Sequence, residues 1–191
     1  MNLRNNFDDI LCDPTLKEST LLALSETWLD QETILNMDGF NCLYNSIGPG
    51  KGLAVYYKME IFRPGPQVKE NRIQISKLVS DDVDVIVVYR SDQGNLGHLI
   101  NHLKHLVDLR KNTVVTGDLN ICYMTNRNNI LIKFLEAEGF IQYVKEATHI
   151  KGRLIDHFYL RPSMNPVNIS SINRYSPYYS DHDAICATIE T

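Results

Sequence analysis

The stretch Thr-Val-Val-Thr-Gly-Asp-Leu-Asn, residues 113–120, joins a run of strand-forming residues to a carboxylate and a carboxamide. Its first four residues are all β-branched and predict a buried strand that ends at Gly117. Because side chains at positions i and i+2 of an extended chain lie on the same side, Asp118 and Asn120 are expected to face one pocket. Such a pair can take a proton, hold a cation or hydrogen-bond a phosphate. Asp and Asn also end strands simply as turn residues, so the motif alone leaves both interpretations open.

Length and composition indicate a globular protein. The chain has 191 residues, of which 43% are hydrophobic. That is enough for a substantial core, and without internal repeats or composition breaks we expect a single domain over residues 1–191. No apolar run approaches the length of a membrane span, and there is no charged-then-apolar leader, which predicts an intracellular protein without a membrane partner.

The net charge and the spacing of the cysteines restrict the classes of function that the chain can have. The formal net charge is -4, whereas proteins that bind nucleic acid through bulk electrostatics are usually basic. A polyanionic substrate would therefore have to be held by a local patch or by a metal ion. The four cysteines are far apart and form no CxxC pair, which predicts reduced, mostly buried thiols rather than disulfides or a zinc site.

Hydrophobic periodicity predicts many strands and few helices. Strands are expected at residues 21–24, 53–57, 73–79, 84–89, 113–117, 153–160 and 183–189, and helices at 5–11, 95–109 and 130–137. Turns or loops are expected at 48–52, 63–66 and 162–179. This pattern favours an α+β domain in which sheets pack on each other.

Two polar groups follow predicted strands in the first half of the chain. Glu26 comes directly after the first strand, where a carboxylate could ligate a cation or simply begin a helix. Tyr89 and Arg90 end another strand; a phenol and a guanidinium together suit a phosphate, although Tyr is also common in sheets.

Three more candidates lie in the second half. Asp156 stands among strand-forming residues, where an acid is costly unless a positive or hydrogen-bonding group partners it. Asp181 and His182 are adjacent, so they face different sides of an extended chain and suit separate roles, such as metal ligand and phosphate contact.

One further histidine group lies on the predicted helix 95–109. His98, His102 and His105 are spaced by four and three residues, which places them on one helical face that could hold a metal. They flank the apolar stripe, however, and a solvated helix face is the preferred interpretation.

Four strand-end motifs occur in a characteristic order: Ser-Glu-Thr-Trp-Leu (25–29), Gly-Asp-Leu-Asn (117–120), Leu-Ile-Asp-His (154–157) and Ser-Asp-His-Asp-Ala-Ile (180–185). The ordered set resembles the endonuclease/exonuclease/phosphatase superfamily. Within it, the chain is most similar to the apurinic-type endonuclease domains of mobile elements, namely non-LTR retrotransposons and helitron-type transposons. Residues 52–56, 88–90, 147–149 and 175–177 also resemble that branch, so the likeness covers nearly the whole chain.

The resemblance implies a fold and an activity. The fold is a four-layer α/β sandwich, with two mixed sheets packed face to face, helices outside and the site at one end. The activity is a metal-dependent endonuclease that nicks DNA and leaves a 3′-hydroxyl able to prime synthesis. The implied partners are DNA and the reverse transcriptase or helicase domains of the same element; a monomer acting on chromosomal DNA in the nucleus is expected.

The resemblance also implies a role for each candidate. Asp118 matches the aspartate that orients or deprotonates the attacking water, and Asn120 the asparagine that supports it and steadies the phosphate. His182 matches the histidine that binds the scissile phosphate. The remaining matches are Asp156, which orients that histidine; Tyr89, which contacts the phosphate; and Glu26 and Asp181, which serve the metal. Hard oxygen ligands of this kind select Mg²⁺ or Mn²⁺ over zinc.

One departure from the family pattern affects the first strand. The family begins with a strand that ends in an asparagine serving the metal site, whereas here no apolar strand precedes the first predicted helix. Asn2 lies close to where that motif would end. We therefore expect an N-terminally truncated domain with an exposed neighbouring strand edge and impaired activity. Ser91, where related sequences often have proline, is a smaller departure.

Three functions remain open at this stage. The first is a metal-dependent DNA endonuclease. The second is a catalytically degenerate domain of the same fold, surviving as an inactive remnant or a binding module, which the missing strand and acidic balance favour. The third is a phosphatase of the same superfamily acting on a lipid or inositol phosphate.

Overall fold

The computed structural model describes residues 3–29, 35–46, 52–70 and 72–190. Asn2 and most of the predicted turn at 48–52 lie outside these ranges. The helices are α1 (Leu3–Cys12), α2 (Pro14–Lys17), α3 (Leu96–Leu106) and α4 (Ile130–Ala137). The strands are β1 (Leu21–Ser25), β2 (Asn41–Asn45), β3 (Leu53–Tyr57), β4 (Arg63–Glu70), β5 (Ile73–Val79), β6 (Val83–Arg90), β7 (Asn112–Asp118), β8 (Ile141–Gln142), β9 (Asp156–Arg161), β10 (Asn168–Tyr175) and β11 (Ala184–Glu190).

A six-stranded mixed sheet forms the centre of the molecule, with the strand order β4-β5-β6-β7-β9-β8. β6 and β7 are parallel, and the other neighbours are antiparallel. All eight residues of β6 are buried, as expected for a strand that is covered on both faces. β7 lies beside it and carries the Gly-Asp motif to the end of the sheet.

A second sheet layer lies against the first and is divided into two antiparallel pieces. One piece has the order β1-β3-β2, and the other is the pair β10-β11. Alternate residues of β3 belong to different cores: Leu53 and Val55 pack with the six-stranded sheet, whereas Ala54 and Tyr56 pack with the α1 side. The pleat of β3 therefore connects two hydrophobic cores.

Helices cover both outer faces. α3 and α4 bury Leu99, Leu103, Leu131 and Leu135 in the core of the six-stranded sheet. α1 and α2 belong to the other core, on the far side of the three-stranded piece. The side chains of Asn95 and Asn129 cap α3 and α4 by accepting backbone hydrogen bonds. The predicted four-layer α/β sandwich is confirmed, with its second layer in two antiparallel pieces rather than one mixed sheet.

Several local predictions were wrong. Residues 63–66 are the start of β4 rather than a loop, and residues 168–175 of the predicted loop 162–179 form β10. β2 and α2 were not predicted. The four cysteines are free, as predicted, but Cys12 is exposed and the others are half-buried. None of the helices that the structure describes has both the length and the apolar character needed to cross a membrane.

Candidate active site

The Gly-Asp-Leu-Asn turn ends β7 beside β6. Gly117 has a φ of 124°, and a Cβ placed there would overlap the carbonyl oxygen of Val88. Only glycine permits this close approach of two backbones. Asp118 follows immediately and is only 1% exposed. The turn thereby fixes a carboxylate at the end of the sandwich.

Asn120 holds the Asp118 carboxylate. Its backbone N–H donates to Asp118 Oδ1 at 2.8 Å, and its side-chain Nδ2 donates to Asp118 Oδ2 at 3.1 Å and to the carbonyl of Arg90 at 3.0 Å. A φ of 50° places Asn120 in the left-handed region, which asparagine tolerates better than most residues. The structure thus brings the predicted pair together, with the amide directed at the carboxylate.

Arg90 has a structural role. The residue is 4% exposed, and its guanidinium donates to the carbonyls of Asp92, Gly94, Leu119 and Asn120. The interpretation of the strand-end guanidinium as a phosphate ligand is therefore wrong, because its donors are committed to the backbone. Arg90 instead holds the Gly-Asp-Leu-Asn turn against the end of β6.

Glu26 and Tyr89 meet across the two sheet layers. The Tyr89 hydroxyl donates to Glu26 Oε1 at 3.0 Å. Burial, together with the charge of Glu26, raises the pKa of Tyr89, so the phenol stays protonated and acts as a donor. Glu26 and Trp28 have φ values of 53° and 56°. Non-glycine residues in this region are strained by about 1–3 kcal/mol each, and such strain is concentrated at functional sites.

Asp156, His182 and Thr148 form a hydrogen-bonded group. Asp156 Oδ2 accepts from His182 Nδ1 at 2.8 Å and from the Thr148 hydroxyl at 2.7 Å. Thr148 Oγ1 in turn accepts the backbone N–H groups of Ile155 and Asp156. Both the carboxylate and the imidazole are therefore fixed, with the second ring nitrogen of His182 directed away from Asp156.

This arrangement favours a charged imidazole. Burial alone would lower the pKa of His182, but the hydrogen bond and the charge of Asp156 outweigh it and raise the pKa to about 9. His182 is therefore a cation at neutral pH. A cationic donor of this kind is suited to a phosphate oxygen.

Asp118, Asp156 and His182 form one cluster, since each offers a ligand atom within 4.8 Å of the others. Burial raises the pKa of Asp118, and the charge of Asp156 raises it further. Because this raised pKa keeps Asp118 protonated near neutral pH, a metal ion that binds there would displace the proton. Asp118, Asp156 and Glu26 would then carry three negative charges against one imidazolium, a deficit of two positive charges. A buried oxygen-rich site with this deficit fits a divalent hard cation.

Asp181 lies on the other side of His182. Its Oδ2 is 3.5 Å from His149 Nε2, and these two residues and His182 form a second cluster with ligand atoms within 4.8 Å. His149 Nδ1 accepts the backbone N–H of Lys151 at 3.0 Å, which places the ring proton on Nε2, toward Asp181. Among the described residues, the second cluster contains Asp181 and neither cluster contains Glu26, so the two predicted metal ligands are not brought together in one group of close ligand atoms.

Basic and aromatic side chains between residues 174 and 178, in the segment expected as a loop, contact acidic side chains. Arg174 contacts Glu146 at 2.7 Å and also Asp183. The Tyr175 hydroxyl donates to Asp13, and that of Tyr178 to Asp9, across to α1 and the start of α2. These hydrogen bonds therefore connect the β10-β11 piece to α1 and to Asp13, the residue that caps α2.

Thr148 and His149 were not among the predicted site residues. Only their place in a motif that resembles the family, residues 147–149, could have pointed to them. Thr148 is fully buried and connects two backbone groups to Asp156. Its contribution is visible only once the segment before β9 is folded beside the strand.

We expect Thr148→Val to lower both stability and turnover. The substitution keeps the shape but removes the hydroxyl that Asp156 and two backbone N–H groups use, at a cost of about 1–3 kcal/mol in the free energy of unfolding. The turnover number should fall because Asp156, which holds His182, loses the hydroxyl that fixes its carboxylate. Urea denaturation and kinetics measure the two effects. Thr148→Ser keeps the hydroxyl and serves as the control; equal losses in both variants would contradict this role.

His157 is a structural residue next to the site. It is fully buried, with Nε2 against the Ile121 carbonyl at 2.8 Å and Nδ1 against the Tyr159 hydroxyl at 3.2 Å. Burial lowers its pKa from 6.5 to about 4. The native state therefore holds it neutral in a pH range where the unfolded chain protonates it.

We expect His157 to make stability fall with acidification. Above pH 6.5 neither state is protonated, and between pH 6.5 and about 4 only the unfolded state binds the proton. The loss over that window is about 3 kcal/mol for one group. Urea titrations from pH 7 to pH 4 measure it against His157→Gln. An equal slope in the variant would show that other groups cause the loss.

Comparison with known proteins identifies the family. The family model described as the Endonuclease/Exonuclease/phosphatase family matches residues 2–182. The match spans most of the chain, and the chain therefore belongs to this family. A comparison with curated protein sequences returned no match.

Solved structures share the fold over nearly the whole chain. An AP endonuclease from Archaeoglobus fulgidus aligns with a TM-score of 0.75 and 16% identity, covering 100% of this chain and 96% of its own. The endonuclease domain of TRAS1, a telomere-specific non-LTR retrotransposon, aligns with a TM-score of 0.69 and 11% identity, covering 96% and 91%. D. rerio TDP2 complexed with single strand DNA product aligns with a TM-score of 0.69 and 12% identity, covering 100% of this chain and 94% of its own. At these identities the likeness establishes the fold.

Proposed function

We propose that the chain is a metal-dependent phosphodiesterase that nicks DNA and leaves a 3′-hydroxyl, as a transposon-encoded endonuclease does. The observation that carries the proposal is the Asp118–Asp156–His182 cluster at the end of the sandwich. Ligand atoms of a buried carboxylate and a cationic imidazole lie within 4.8 Å of each other there, a separation that suits contact with one phosphate. Asn120 donates a hydrogen bond to the carboxylate, and the imidazole donates one to Asp156.

Each side chain of the site has a separate role in phosphodiester hydrolysis. Asp118 orients the attacking water and takes its proton, which its raised pKa favours. Asn120 fixes that carboxylate. His182 donates from its second ring nitrogen to a non-bridging phosphate oxygen and stabilises the charge that develops there. Asp156 holds the imidazole in position, and Tyr89 holds Glu26.

The resident metal is Mg²⁺ or Mn²⁺. It would supply Lewis-acid stabilisation of phosphate charge when bound. Glu26 is the principal ligand in this proposal, because it lies beside the Asp118 cluster and is already oriented by Tyr89. A ligand role for Asp181 stays a prediction; its position next to His149 also suits it to holding His182 in place.

The substrate class is DNA. Support comes from family membership together with structurally similar proteins described as an AP endonuclease, a retrotransposon endonuclease domain and a protein complexed with single strand DNA product. A role in a mobile element, with reverse transcriptase or helicase domains as partners and the nucleus as the place of action, follows from the motif resemblance. A monomer suffices for the proposed chemistry.

A substrate comparison tests the proposal. Supercoiled plasmid, an inositol phosphate and a soluble phosphomonoester are each incubated with the full chain and Mg²⁺. We expect nicked plasmid that a DNA polymerase extends directly, showing a 3′-hydroxyl, and no release of phosphate from the monoesters. Release from a monoester without nicking would identify a phosphatase and overturn the proposal.

A second candidate is a catalytically degenerate domain of the same fold. The observation that favours it is the division of the second sheet layer beside the site, with β1 and β11 not paired to each other. In that case the protein binds DNA or another partner without cleaving it. Binding of a plasmid or oligonucleotide without nicking, under any divalent cation, would favour this candidate.

A further inference from the structure

A groove divides the second sheet layer between β1 and β11. β1 is an edge strand of its piece, and β11 pairs with β10 alone among the described strands. One cavity of about 940 Å³ lies between them. It is lined by all five residues of β1 and by six of the seven residues of β11. We call this cavity the strand groove.

On the β1 side of the strand groove, none of the described strands pairs with the groove-facing edge of β1. The N–H of Lys58 donates to the carbonyl of Thr20 at 3.0 Å, so this pair is hydrogen-bonded at the start of the β1-β3 ladder. Because backbone groups alternate in direction along a strand, Leu21, Ala23 and Ser25 direct their N–H and C=O groups away from β3 and toward the groove. An edge of this kind pairs readily with another strand.

Apolar side chains line both the floor and the roof of the strand groove. The floor is formed by side chains of the six-stranded sheet, Val83, Val85, Val87, Val114 and Phe158, and the roof includes Ile10 of α1 and Leu16 of α2. A strand enclosed in this way has both faces covered. Such strands are nearly continuous runs of apolar, often β-branched residues.

The strands that border the groove leave apolar side chains incompletely covered. Leu21 and Leu24 of β1 are half-buried, as are Ile185, Ala187 and Ile189 of β11. All five belong to or pack against the two cores. Filling the groove would remove this surface from water, which stabilises a bound strand.

The charged residues at the mouths of the strand groove restrict which segment can bind in it. The mouth at the start of β1 carries the exposed acids Glu18, Glu60, Asp81 and Asp82. The opposite mouth opens on the catalytic carboxylates. No Lys or Arg occurs among the described residues that line the cavity. The ends of a complementary strand are therefore basic.

We propose that the strand groove accepts one extended segment of another polypeptide, about five to seven residues long, apolar on both faces and flanked by Lys or Arg. β1 runs toward the catalytic mouth and β11 runs away from it, so the segment is parallel to one and antiparallel to the other. A second copy of this chain is disfavoured as the occupant, because it would bring the same acidic mouth against this one.

Peptide binding to the full chain tests the proposal. The probe is a fluorescent peptide with a central run of Val, Ile and Thr between Lys residues, and the control peptide has Pro in the centre and Glu at the ends. We expect saturable binding of the first peptide and at least about 10-fold weaker binding of the second, because proline removes a ladder donor and the charges repel. No saturable binding of the first peptide, or equal binding of both, would overturn the proposal.

A variant and an amide measurement locate the binding. Ala23→Pro removes a groove-facing N–H and should weaken binding about 10-fold, whereas Ala23→Val keeps that N–H and should not. In the unchanged protein, hydrogen exchange at the Ala23 amide should slow when the peptide binds, while the Leu22 amide, which faces β3, stays as before. Protection elsewhere only would contradict the site. A dimer in sedimentation velocity that the peptide dissociates would assign the groove to a second copy instead.

Discussion

Asp118→Asn is expected to lower the rate of DNA nicking by about 10²–10⁴-fold, the range over which a positioned general base acts. The amide matches the carboxylate in shape, so the bonds from Asn120 are the main local change. Asparagine cannot take a proton from water at neutral pH. DNA binding, measured by fluorescence anisotropy in Ca²⁺, should change little, because the phosphate contact assigned to His182 remains.

The same substitution should raise stability in the metal-free protein. The pKa of Asp118 is raised in the folded state, so ionisation costs the fold stability at every pH above the unfolded value of 3.8. A neutral amide removes that cost. Urea denaturation in EDTA at pH 7.5 measures the difference. Asp38→Asn makes the same chemical change at an exposed position and should alter neither quantity. A stable Asp118→Asn protein that nicks at the normal rate would refute the assigned role.

His182→Ala is expected to lower nicking by about 10²–10³-fold, the usual effect of removing one preorganised donor to a developing anion. The loss arises because His182 is held as a cation by Asp156. His105→Ala, on the exposed face of α3, is the matched control and should retain full activity.

The pH profile distinguishes a charged imidazole from a neutral one. With the pKa of His182 raised to about 9, activity that needs the cation persists through neutral pH and falls as pH rises through about 9. Asp156→Asn removes the carboxylate that raises this pKa, so the fall should move toward the ordinary histidine value of 6.5. An alkaline limb that stays in place in Asp156→Asn would contradict the coupling of these two residues.

The order of strand-end motifs made much of the site predictable. Asp118 ends β7 and Asp156 begins β9, whereas Asn120 lies two residues after β7 and His182 two residues before β11. The ligand atoms of Asp118, Asp156 and His182 meet at this edge of the sandwich. Thr148 was not predicted, because its contact with Asp156 joins a segment without regular structure to a strand.

The strands that were missed have irregular patterns. β10 carries Ile169 and Ile172 three positions apart, because its register with β11 shifts between Ile169 and Ser171. This shift breaks the period of two that sequence analysis relies on. β4 begins with a Pro-Gly-Pro run that is typical of a loop, yet proline is tolerated there because β4 is an edge strand with its own register shift after Pro64.

The division of the second layer could be anticipated only in part. Strand periodicity predicted β1 and β11 separately, and the structure shows the strand groove between them. Sequence could not indicate that β11 borders the same cavity or that its mouths are acidic, because these features depend on how distant segments meet.

The most direct test of the proposed function is nicking of supercoiled plasmid by the purified full chain. Parallel reactions contain Mg²⁺, Mn²⁺ or EDTA, with Asp118→Asn and His182→Ala beside the unchanged protein. We predict nicked circles with Mg²⁺ or Mn²⁺, none with EDTA, and little with either variant. No nicking by a folded protein under any of these cations, or nicking that persists in both variants, would contradict a metal-dependent phosphodiesterase built on this site.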